Sequence, residues 1–290
     1  MKYNFIKMQG CGNDYIYFDC RGRAFPSLED AATVAAAIVA EAARLSDRHF
    51  GIGGDGIVLI LPSQTADARM RMFNADGSEG RMCGNAIRCV GKYLYENGAA
   101  KKNSVTVETL SGVKRLDILA EKGRAVSVRV DMGRAELDPA KIPALLEGPS
   151  VISRPVLVDG ERYSVTCVSM GNPHAVIFAE DVTGLPLAEI GPRFQQYPAF
   201  PEGVNTEFVR VINSRALQMR VWERGSGETL ACGTGACASV VAAVLNGYCP
   251  MEKDIVVHLL GGQLTIRYTE ETVFMTGGCE TVFEGAIDIE

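Results

Sequence analysis

Short runs of alternating apolar and polar residues, or of β-branched residues, recur along most of the chain. A period of two with Val, Ile, Thr, Tyr and Phe enriched is typical of β-strands. The pattern predicts strands at FIKM, YIYFD, GIVLIL, SVTVETL, AVSVRV, RYSVTCV, AVIFA, NTEFVRV, LQMRVW, DIVVHL, LTIRY and TVFMTG. Because few helical patterns interrupt these runs, we expect a sheet-rich chain of the α/β (α+β) class.

Three segments have the pattern of helices. The first spans residues 28–45, and two others begin directly after Cys83 and Cys232. Both of these later helices end in Asn-Gly, where a residue in the left-handed conformation commonly closes a helix. The helix after Cys232, GACASVVAAVL, is small and apolar on every side, which predicts that other structure encloses it.

The chain contains an internal repeat. Residues 83–98, CGNAIRCVGKYLYENG, align without a gap on residues 232–247, CGTGACASVVAAVLNG, at an offset of 149. Three further pairs of landmarks occur in the same order: Gly12 and Asn13 with Gly171 and Asn172, Glu79 with Glu228, and VETLSG at 107–112 with VHLLGG at 257–262. Matched landmarks in one order indicate a duplication. We therefore expect two pseudo-symmetric domains, each a curved, mostly antiparallel sheet wrapped around a central helix.

The repeat and the prolines predict where the two domains divide. We expect an N-terminal half over residues 1–132, to which a C-terminal tail at 278–290 returns, and a C-terminal half over 133–277. Three prolines mark residues 131–150 as a linker. A second proline cluster, between residues 186 and 201, predicts a long surface connection with little regular structure.

Composition narrows the class of partner. The 290 residues are 47% apolar and 22% charged, which is typical of a globular chain rather than a disordered one. The chain has a net charge of -6, so we do not expect it to have the basic surface that binding a nucleic acid requires. We therefore expect a small-molecule substrate and no nucleic acid.

Neither a membrane span nor a metal site is expected. The most apolar stretch, Ala31 to Leu45, is interrupted by charges, and the N-terminus lacks the pattern of a secretory signal, so we expect a cytoplasmic protein without a membrane partner. The nine cysteines form no CxxC pair, and the chain has only three histidines. This pattern argues against structural zinc and against a disulfide scaffold, and favours reduced thiols.

Two of the cysteines occupy positions that favour chemistry. Cys83 and Cys232 each stand directly before a predicted helix, where unpaired backbone N–H groups stabilise an anion and can lower a thiol pKa from about 8.5 to roughly 3.5 to 7.5. The same N–H groups could hold a carboxylate. Two such sites related by a pseudo-twofold would face each other across an interdomain cleft, which suits inversion at a stereocentre by one base and one acid. His174 and Glu223 are candidates to exchange protons with the thiols.

At these residues the chain resembles a known family. The segments that carry the resemblance are GCGNDYIYFD near the N-terminus, FNADGSEGRMCGNAIR, SMGNPHAVIF, GVNTEF and VWERGSGETLACGTGACA. Together they look like diaminopimelate epimerase over essentially the whole chain. The resemblance implies two pseudo-symmetric α/β domains and the interconversion of LL- and meso-diaminopimelate for lysine and cell-wall synthesis. It also implies that no cofactor is used, pyridoxal phosphate included, and that the protein forms a homodimer.

The resemblance assigns roles to individual residues. It implies that Cys83 and Cys232 are the acid/base pair and that His174 and Glu223 tune them. The implied substrate contacts are Asn13, Asn74, Asn172, Asn205, Glu223 and Arg224, with Gly84, Asn85, Gly233 and Thr234 as helix-end donors to a carboxylate. Arg224 is expected to be buried and to bind a distal carboxylate. Gly56 departs from the family, because some members have glutamine there.

Alternatives remain for the substrate and for the class of protein. The same fold and chemistry would suit a racemase of another polar amino acid. A non-catalytic amino-acid binder or a thiol-redox protein would need neither cysteine for proton transfer. The other cysteines, Cys11 among them, are expected to have packing roles.

Overall fold

The computed structural model describes residues 2–22, 28–98 and 102–289. The chain separates into two compact units. One unit comprises Met1–Val130 together with Gly277–Glu290, and is called the N-terminal half below. The other comprises Asp131–Thr276 and is called the C-terminal half.

The N-terminal half is built mainly from strands. Its elements, in chain order up to the boundary, are β1 (Lys2–Gly10), β2 (Asn13–Asp19), α1 (Leu28–Ala40), α2 (Ala42–Ser46), β3 (Gly56–Leu61), β4 (Ala68–Asn74), β5 (Glu79–Gly80), α3 (Gly84–Asn97), β6 (Ser104–Thr109), β7 (Gly112–Glu121) and β8 (Arg124–Asp131). Strands β2 and β3 pair in parallel, as do β4 and β6. The pairs β1/β2, β3/β4, β4/β5, β6/β7 and β7/β8 are antiparallel.

The C-terminal half repeats this order of pairings. Its elements are β9 (Arg154–Val158), β10 (Glu161–Ser169), β11 (Pro173–Phe178), α4 (Leu187–Gln195), β12 (Asn205–Asn213), β13 (Ala216–Glu223), β14 (Gly227–Glu228), α5 (Gly233–Leu245), β15 (Asp254–Leu259), β16 (Gly262–Tyr268) and β17 (Val273–Gly277). Strands β11/β12 and β13/β15 pair in parallel, and the other neighbours pair antiparallel. The two halves therefore share one topology.

The C-terminal tail belongs to the N-terminal half. Its strand β18 (Glu280–Asp288) pairs antiparallel with β1, with a register shift between Lys7 and Met8. In the C-terminal half, β9 pairs antiparallel with β10 in the same way. Strand β18 thus takes, beside β1, the place that β9 takes beside β10.

Each half packs its strands around one helix. Helix α3 contacts β1 and β7, and helix α5 contacts strands β10 to β13, β15 and β16. A Cβ at Gly91 in α3 would lie 2.8 Å from Leu116 in β7, so glycine permits this close approach. Residues 235–243 of α5 are all buried, as the apolar sequence predicts. The core helix of each half consequently has its first turn held in a fixed position.

The Asn-Gly pairs close the two helices differently. Gly247, after α5, has a φ of 76°, which is the predicted left-handed conformation. Gly98, after α3, has a φ of −75° and a ψ of 151°, so the prediction is wrong for this helix. The chain leaves α3 in an extended conformation that any residue adopts.

The proline-rich region between residues 186 and 201 contains a helix, contrary to prediction. Helix α4 includes Pro192 in its interior. Its residues Leu187 and Phe194 are buried in the core of the C-terminal half, Phe194 completely. Burying these two side chains offsets the single helical hydrogen bond that the proline removes. The predicted linker at 131–150 likewise contributes Ile142 to that core, with no exposed side-chain surface.

The predicted first helix is divided. Helix α1 ends at Ala40, and α2 begins at Ala42 after a turn at Glu41. Ile38 and Leu45 both lie in the core of the N-terminal half, against residues of β3 such as Ile57. No helix in the described part of the chain is long and apolar enough to cross a membrane.

Candidate active site

In the N-terminal half, Cys83 caps the N-terminus of α3. Its backbone is extended, and its Sγ accepts a hydrogen bond from the Ala86 N–H at 3.5 Å. The thiol donates to Asn13 Oδ1 at 3.2 Å. Asn85 Nδ2 donates to the same oxygen at 3.4 Å. The fold thus brings three predicted site residues, Asn13, Cys83 and Asn85, into one group at the start of β2 and α3.

A network of charges holds Asn13 in place. Asn13 Nδ2 donates to Asp55 Oδ2 at 2.7 Å, and Arg48 donates to the other oxygen of Asp55 at 2.9 Å. Arg48 also makes two hydrogen bonds to Asp14, at 2.7 and 3.1 Å. Burial raises the pKa of Asp14, but hydrogen bonds from Arg48 and Lys7 outweigh it and leave that pKa below its ordinary value. A carboxylate only accepts hydrogen bonds, so Asp55 binds the NH₂ group of Asn13. The amide oxygen of Asn13 is thereby left facing Cys83.

A buried cation lies in the first two turns of α3. The guanidinium of Arg88 is fully buried, and its Nη1 donates to the Gly84 carbonyl at 3.1 Å. Its Nη2 lies 3.7 Å from Cys11 Sγ. Cys11 therefore packs against this arginine. The positive charge adds to the helix N-terminus in favouring an anion near the start of α3.

In the C-terminal half, Cys232 caps α5 with the same geometry. Its Sγ accepts from the Gly235 N–H at 3.4 Å and lies 3.4 Å from Thr234 Oγ1. The residue is 5% exposed, whereas Cys83 is partly exposed. The backbone arrangement around the two cysteines is thus the same, and the side chains around them differ.

Glu223, at the end of β13, accepts a hydrogen bond from Thr229 Oγ1 and interacts electrostatically with Cys232. Burial raises the pKa of Glu223 above its ordinary value. Burial also raises the pKa of Cys232 well above the usual range, and the negative charges of Glu223 and Glu207 raise it further. The prediction of a lowered pKa is wrong for Cys232, because desolvation and two carboxylates outweigh the N–H donors of the helix.

His174, on β11, lies in the same half as Cys232. Its side chain is fully buried, and its Nδ1 lies 2.7 Å from Glu207 Oε1. Its Nε2 lies 3.1 Å from Asn172 Oδ1. Glu207 is not among the site residues that the sequence motifs indicate. A signal was present, because NTEFVRV predicts a strand, and a parallel strand in the middle of a sheet buries both of its faces.

The other predicted substrate contacts lie in three different settings. Asn205 is buried, accepts from the Arg224 N–H at 2.8 Å, and donates to the Pro173 carbonyl at 3.1 Å. Asn74 Nδ2 donates to Ser78 at 3.0 Å, within its own turn. The backbones of the helix-end donors Gly84, Asn85, Gly233 and Thr234 form the first turns of α3 and α5.

The structure places the Arg224 side chain at the surface. The sequence prediction that it is buried is therefore wrong. Its Nη1 donates to the Glu202 carbonyl at 2.7 Å. A Cβ at Gly203 would lie 3.1 Å from Arg224 Cδ, so the missing side chain leaves room for the arginine stem to lie along this loop. Loop geometry, rather than burial, therefore determines the direction of Arg224.

Gly56 stands at a position where the family varies, and the backbone conformation there requires a glycine. It has a φ of 156°, and a Cβ there would lie 2.0 Å from the Phe73 carbonyl oxygen. No side chain fits without a shift of β3 or β4.

Within the described ranges, no group of three or more His, Cys, Asp or Glu side chains could hold a metal ion.

Comparison with known proteins places these motifs in context. A sequence model of the family described as diaminopimelate epimerase matches residues 5–137 and 166–282. The diaminopimelate epimerase of Desulfovibrio desulfuricans is 55% identical over 289 residues, covering 97% of this chain and 96% of the relative. That of Methanococcus maripaludis is 50% identical over 287 residues, covering 98% of this chain and 99% of the relative.

Solved structures show the fold at lower identity. A hydroxyproline epimerase from Agrobacterium vitis superposes with a TM-score of 0.70 at 16% identity, covering 99% of this chain and 92% of that one. A methylitaconate-delta-isomerase gives a TM-score of 0.66 at 16% identity, covering 100% and 96%. The predicted fold class is confirmed.

Proposed function

Because the chain belongs to the diaminopimelate epimerase family, we propose that it interconverts LL- and meso-2,6-diaminopimelate, a step that serves lysine and peptidoglycan synthesis. The observation that carries the proposal is the cysteine that caps the core helix in each half, with a helix N–H donating to its sulfur. Two thiols placed in the same way are what a two-base inversion requires. The family resemblance supports a cytoplasmic homodimer that uses no cofactor.

The chemical difficulty is the weak acidity of the α-proton. In the proposed reaction one cysteine thiolate takes this proton, and the thiol of the other cysteine gives its proton to the opposite face of the carbon. No electron is gained or lost, and one proton is exchanged for another. Donors aimed at the α-carboxylate stabilise the enolate-like charge, and each is typically worth about 3 kcal/mol. The first turns of α3 and α5, with Gly84, Asn85, Gly233 and Thr234, supply such donors.

The charges in each half support different resting roles. Burial and the nearby carboxylates of Glu223 and Glu207 keep the pKa of the Cys232 thiol high, so we assign it the thiol form and the role of acid. Cys83 lies at a helix start that contains the buried Arg88 cation, so we assign it the role of base. This role requires Cys83 first to lose the thiol proton that it donates to Asn13 Oδ1 in the structure. After turnover the Glu223 carboxyl, whose pKa is raised, passes a proton taken from water to the Cys232 thiolate, while Cys83 releases one to water. In the reverse direction the roles of the two cysteines exchange.

The remaining polar residues are assigned to the substrate. Diaminopimelate carries two amino-acid head groups, so a site for it needs polar contacts at both ends. We assign Asn13 and the helix-end donors to the reacting end. The distal end is assigned to Asn74, Asn172, Asn205 and Arg224. The exposed guanidinium of Arg224 can reorient to bind a carboxylate with two hydrogen bonds.

The direct test is incubation of the protein with LL-diaminopimelate in D₂O without added cofactor. We expect the meso isomer to form with deuterium at one α-carbon. Formation of no meso isomer, or of meso isomer without deuterium, would contradict the proposal. A parallel incubation with single-carboxylate polar amino acids distinguishes the substrate: turnover of one of these, with none of diaminopimelate, would replace the assigned substrate and keep the two-base chemistry.

A further inference from the structure

The side chain of Arg224 lies along a neighbouring loop of the C-terminal half. A Cβ at Gly203 would lie 3.1 Å from Arg224 Cδ and 3.4 Å from its Cγ. The Arg224 guanidinium donates from Nη1 at 2.7 Å to the carbonyl of Glu202, the residue before this glycine. Because residue 203 has no side chain, the arginine stem can lie directly on the loop backbone.

The backbone of Arg224 is fixed separately from its side chain. Its N–H donates at 2.8 Å to Oδ1 of Asn205, and Nδ2 of Asn205 donates to the Pro173 carbonyl at 3.1 Å. Asn205 is buried at the start of β12, which pairs with β11 in the sheet. The backbone and the stem of Arg224 thus each have a fixed point, and the guanidinium is the part that remains able to turn.

Helix α4 contacts both the loop and the strand end that carries Arg224. Gln195 Cγ would lie 3.5 Å from a Cβ at Gly203, and Gln195 Oε1 accepts from Trp222 Nε1 at 3.2 Å. A Cβ at Gly191 would lie 2.2 Å from Trp222 Cγ, so the helix packs directly against the tryptophan side chain. Trp222 lies in β13, two residues before Arg224. The helix therefore holds the strand end and the loop in one arrangement.

This arrangement affects how well Arg224 can bind a carboxylate. Arginine binds a carboxylate best through two parallel hydrogen bonds, so the placement of the planar guanidinium matters. The Arg224 side chain is exposed, so a carboxylate can reach it. Ordering a long side chain on binding costs free energy, and a stem that already lies on the loop has less freedom to lose.

We propose that Gly203 and Gln195 are specificity-determining positions, because they place the Arg224 guanidinium to bind the carboxylate at the distal end of the substrate. This proposal rests on the proposed function, which assigns Arg224 to that carboxylate. Both residues act through Arg224, so they are positioning residues. A side chain at position 203 moves the stem off the loop and weakens binding of a second carboxylate, while proton transfer at the reacting carbon is unchanged.

The variant Gly203→Ala tests the placement of the stem. We expect KM for diaminopimelate to rise about tenfold, since a hydrogen bond to a charged group is typically worth that factor. The change in kcat should be less than about twofold, because the lost interaction does not involve the reacting carbon. Equal KM values in Gly203→Ala and the parent would overturn the proposal.

Gly160→Ala is the matched control in the same half. Gly160 has a φ of 85° and Gly203 a φ of 69°, so an added side chain is strained at both positions. A Cβ at Gly160 meets nothing within 4 Å, and we expect KM to stay at the value of the parent. Equal rises in KM in the two glycine variants would show that backbone strain, rather than contact with Arg224, is the cause, and would overturn the proposal.

A double-mutant cycle shows whether Gly203 acts through the arginine. In an Arg224→Ala background, Gly203→Ala should raise KM by less than about twofold, because the stem that it displaces is absent. Effects on KM that simply multiply would contradict a role through Arg224. If Gly203→Ala does not fold, Gln195→Met provides the same cycle. It keeps the length of the side chain and removes the acceptor for Trp222, so KM should rise about threefold with Arg224 present and not without it.

The position of Arg224 can be determined without turnover. In a crystal structure of Gly203→Ala we expect Nη1 to have left the Glu202 carbonyl, and in one of Gly160→Ala to remain on it. An unmoved arginine in Gly203→Ala would overturn the proposal, whatever the activity. A protein that does not epimerise diaminopimelate but shows the displaced arginine would overturn the assigned substrate and leave the placement of Arg224 intact.

Discussion

The two halves share a backbone and differ in charge. In each, a cysteine caps the core helix, its sulfur accepts a helix N–H, and an asparagine lies at or next to the start of the second strand of the repeat. Around Cys83 the contacts are the Asn13 amide and a helix that contains buried Arg88. Around Cys232 two buried carboxylates, Glu223 and Glu207, interact with the thiol. The duplicated scaffold therefore places the two cysteines alike at their helix starts, and the different charges around them are the basis on which we propose opposite resting roles for them.

The strand register shows how the repeat diverged. His174 lies opposite Asn205 on β11 and β12, as Tyr15 lies opposite Gly56 on β2 and β3. Gly56 thus occupies the place of Asn205, a buried polar contact, and its backbone excludes any side chain. Asn13 and Asn172 are equivalent as well, but Asn13 turns its oxygen to a thiol and Asn172 turns its oxygen to a histidine.

The largest expected effect comes from removing either sulfur. Cys83→Ala and Cys232→Ala should each lower the rate of epimerisation about 10³-fold or more, since a positioned acid or base contributes about 10² to 10⁴. The rate of meso-diaminopimelate formation measures this. Cys20→Ala and Cys249→Ala, each a buried cysteine of one half, should stay within about threefold of the parent, since neither has an assigned role in proton transfer. Equal losses in all four variants would remove the distinction between the capping cysteines and the others.

Replacing the Glu223 carboxyl group by an amide should have the next largest effect. Glu223→Gln should lower kcat about 10²-fold, because Cys232 loses its proton partner. Burial raises the pKa of Glu223 above the ordinary value of 4.5, so the folded chain binds this proton more tightly than the unfolded chain. Stability is then lost as pH rises from about 4.5 through the folded pKa.

Glu223→Gln removes that loss, so at pH 7 its free energy of unfolding should equal or exceed that of the parent. Chemical denaturation at pH 7 and at pH 4 provides the comparison. A variant that is inactive because it is less stable at pH 7 would refute the assigned role.

Introducing a side chain at Gly56 tests whether the backbone there excludes the polar side chain that Asn205 has at the equivalent position. Gly56→Gln should lower the free energy of unfolding by at least about 2 kcal/mol, because a strained backbone position costs about 1 to 3 kcal/mol and the Phe73 oxygen adds a clash. Gly112→Ala is the matched control. Gly112 also has a positive φ, of 88°, but an added Cβ meets nothing within 4 Å, so the loss should be about 1 kcal/mol. Equal losses in the two variants would show that strain alone matters.

The smallest expected effect lies in the N-terminal half. Asp55→Ala frees the Asn13 amide to rotate, and we expect kcat/KM to fall about tenfold, or about 1.4 kcal/mol. Asp55→Asn retains one acceptor oxygen and should lose less. Steady-state kinetics on both variants check the order. If Asp55→Asn were as impaired as Asp55→Ala, the charge of Asp55 would matter rather than its hold on Asn13.

The sequence was sufficient for the fold class and for the helix starts at Cys83 and Cys232. These follow from strand periodicity and from the repeat, both of which are local patterns. Helix α4 could not be predicted, because its stability depends on burying Leu187 and Phe194 in a core that local sequence does not describe. The sequence could not predict that the residue after α3 is extended and the glycine after α5 left-handed, because both helices end in the same Asn-Gly pair.

The charge state of the site was also beyond the sequence. The raised pKa of Cys232 comes from burial and from Glu223 and Glu207, and Glu207 lies 25 residues before the cysteine on another strand. A helix N-terminus alone would favour the thiolate. Three-dimensional proximity reverses that expectation in one half.

On the proposed function, matching positions in the two halves hold thiols of opposite role. The most direct measurement is the pH dependence of alkylation of the two cysteines by iodoacetamide in the unmodified protein, resolved by mass spectrometry of their peptides. We expect modification of Cys83 to reach half its maximal rate at a lower pH than modification of Cys232. A midpoint for Cys232 at the same pH as that of Cys83, or at a lower one, would contradict it.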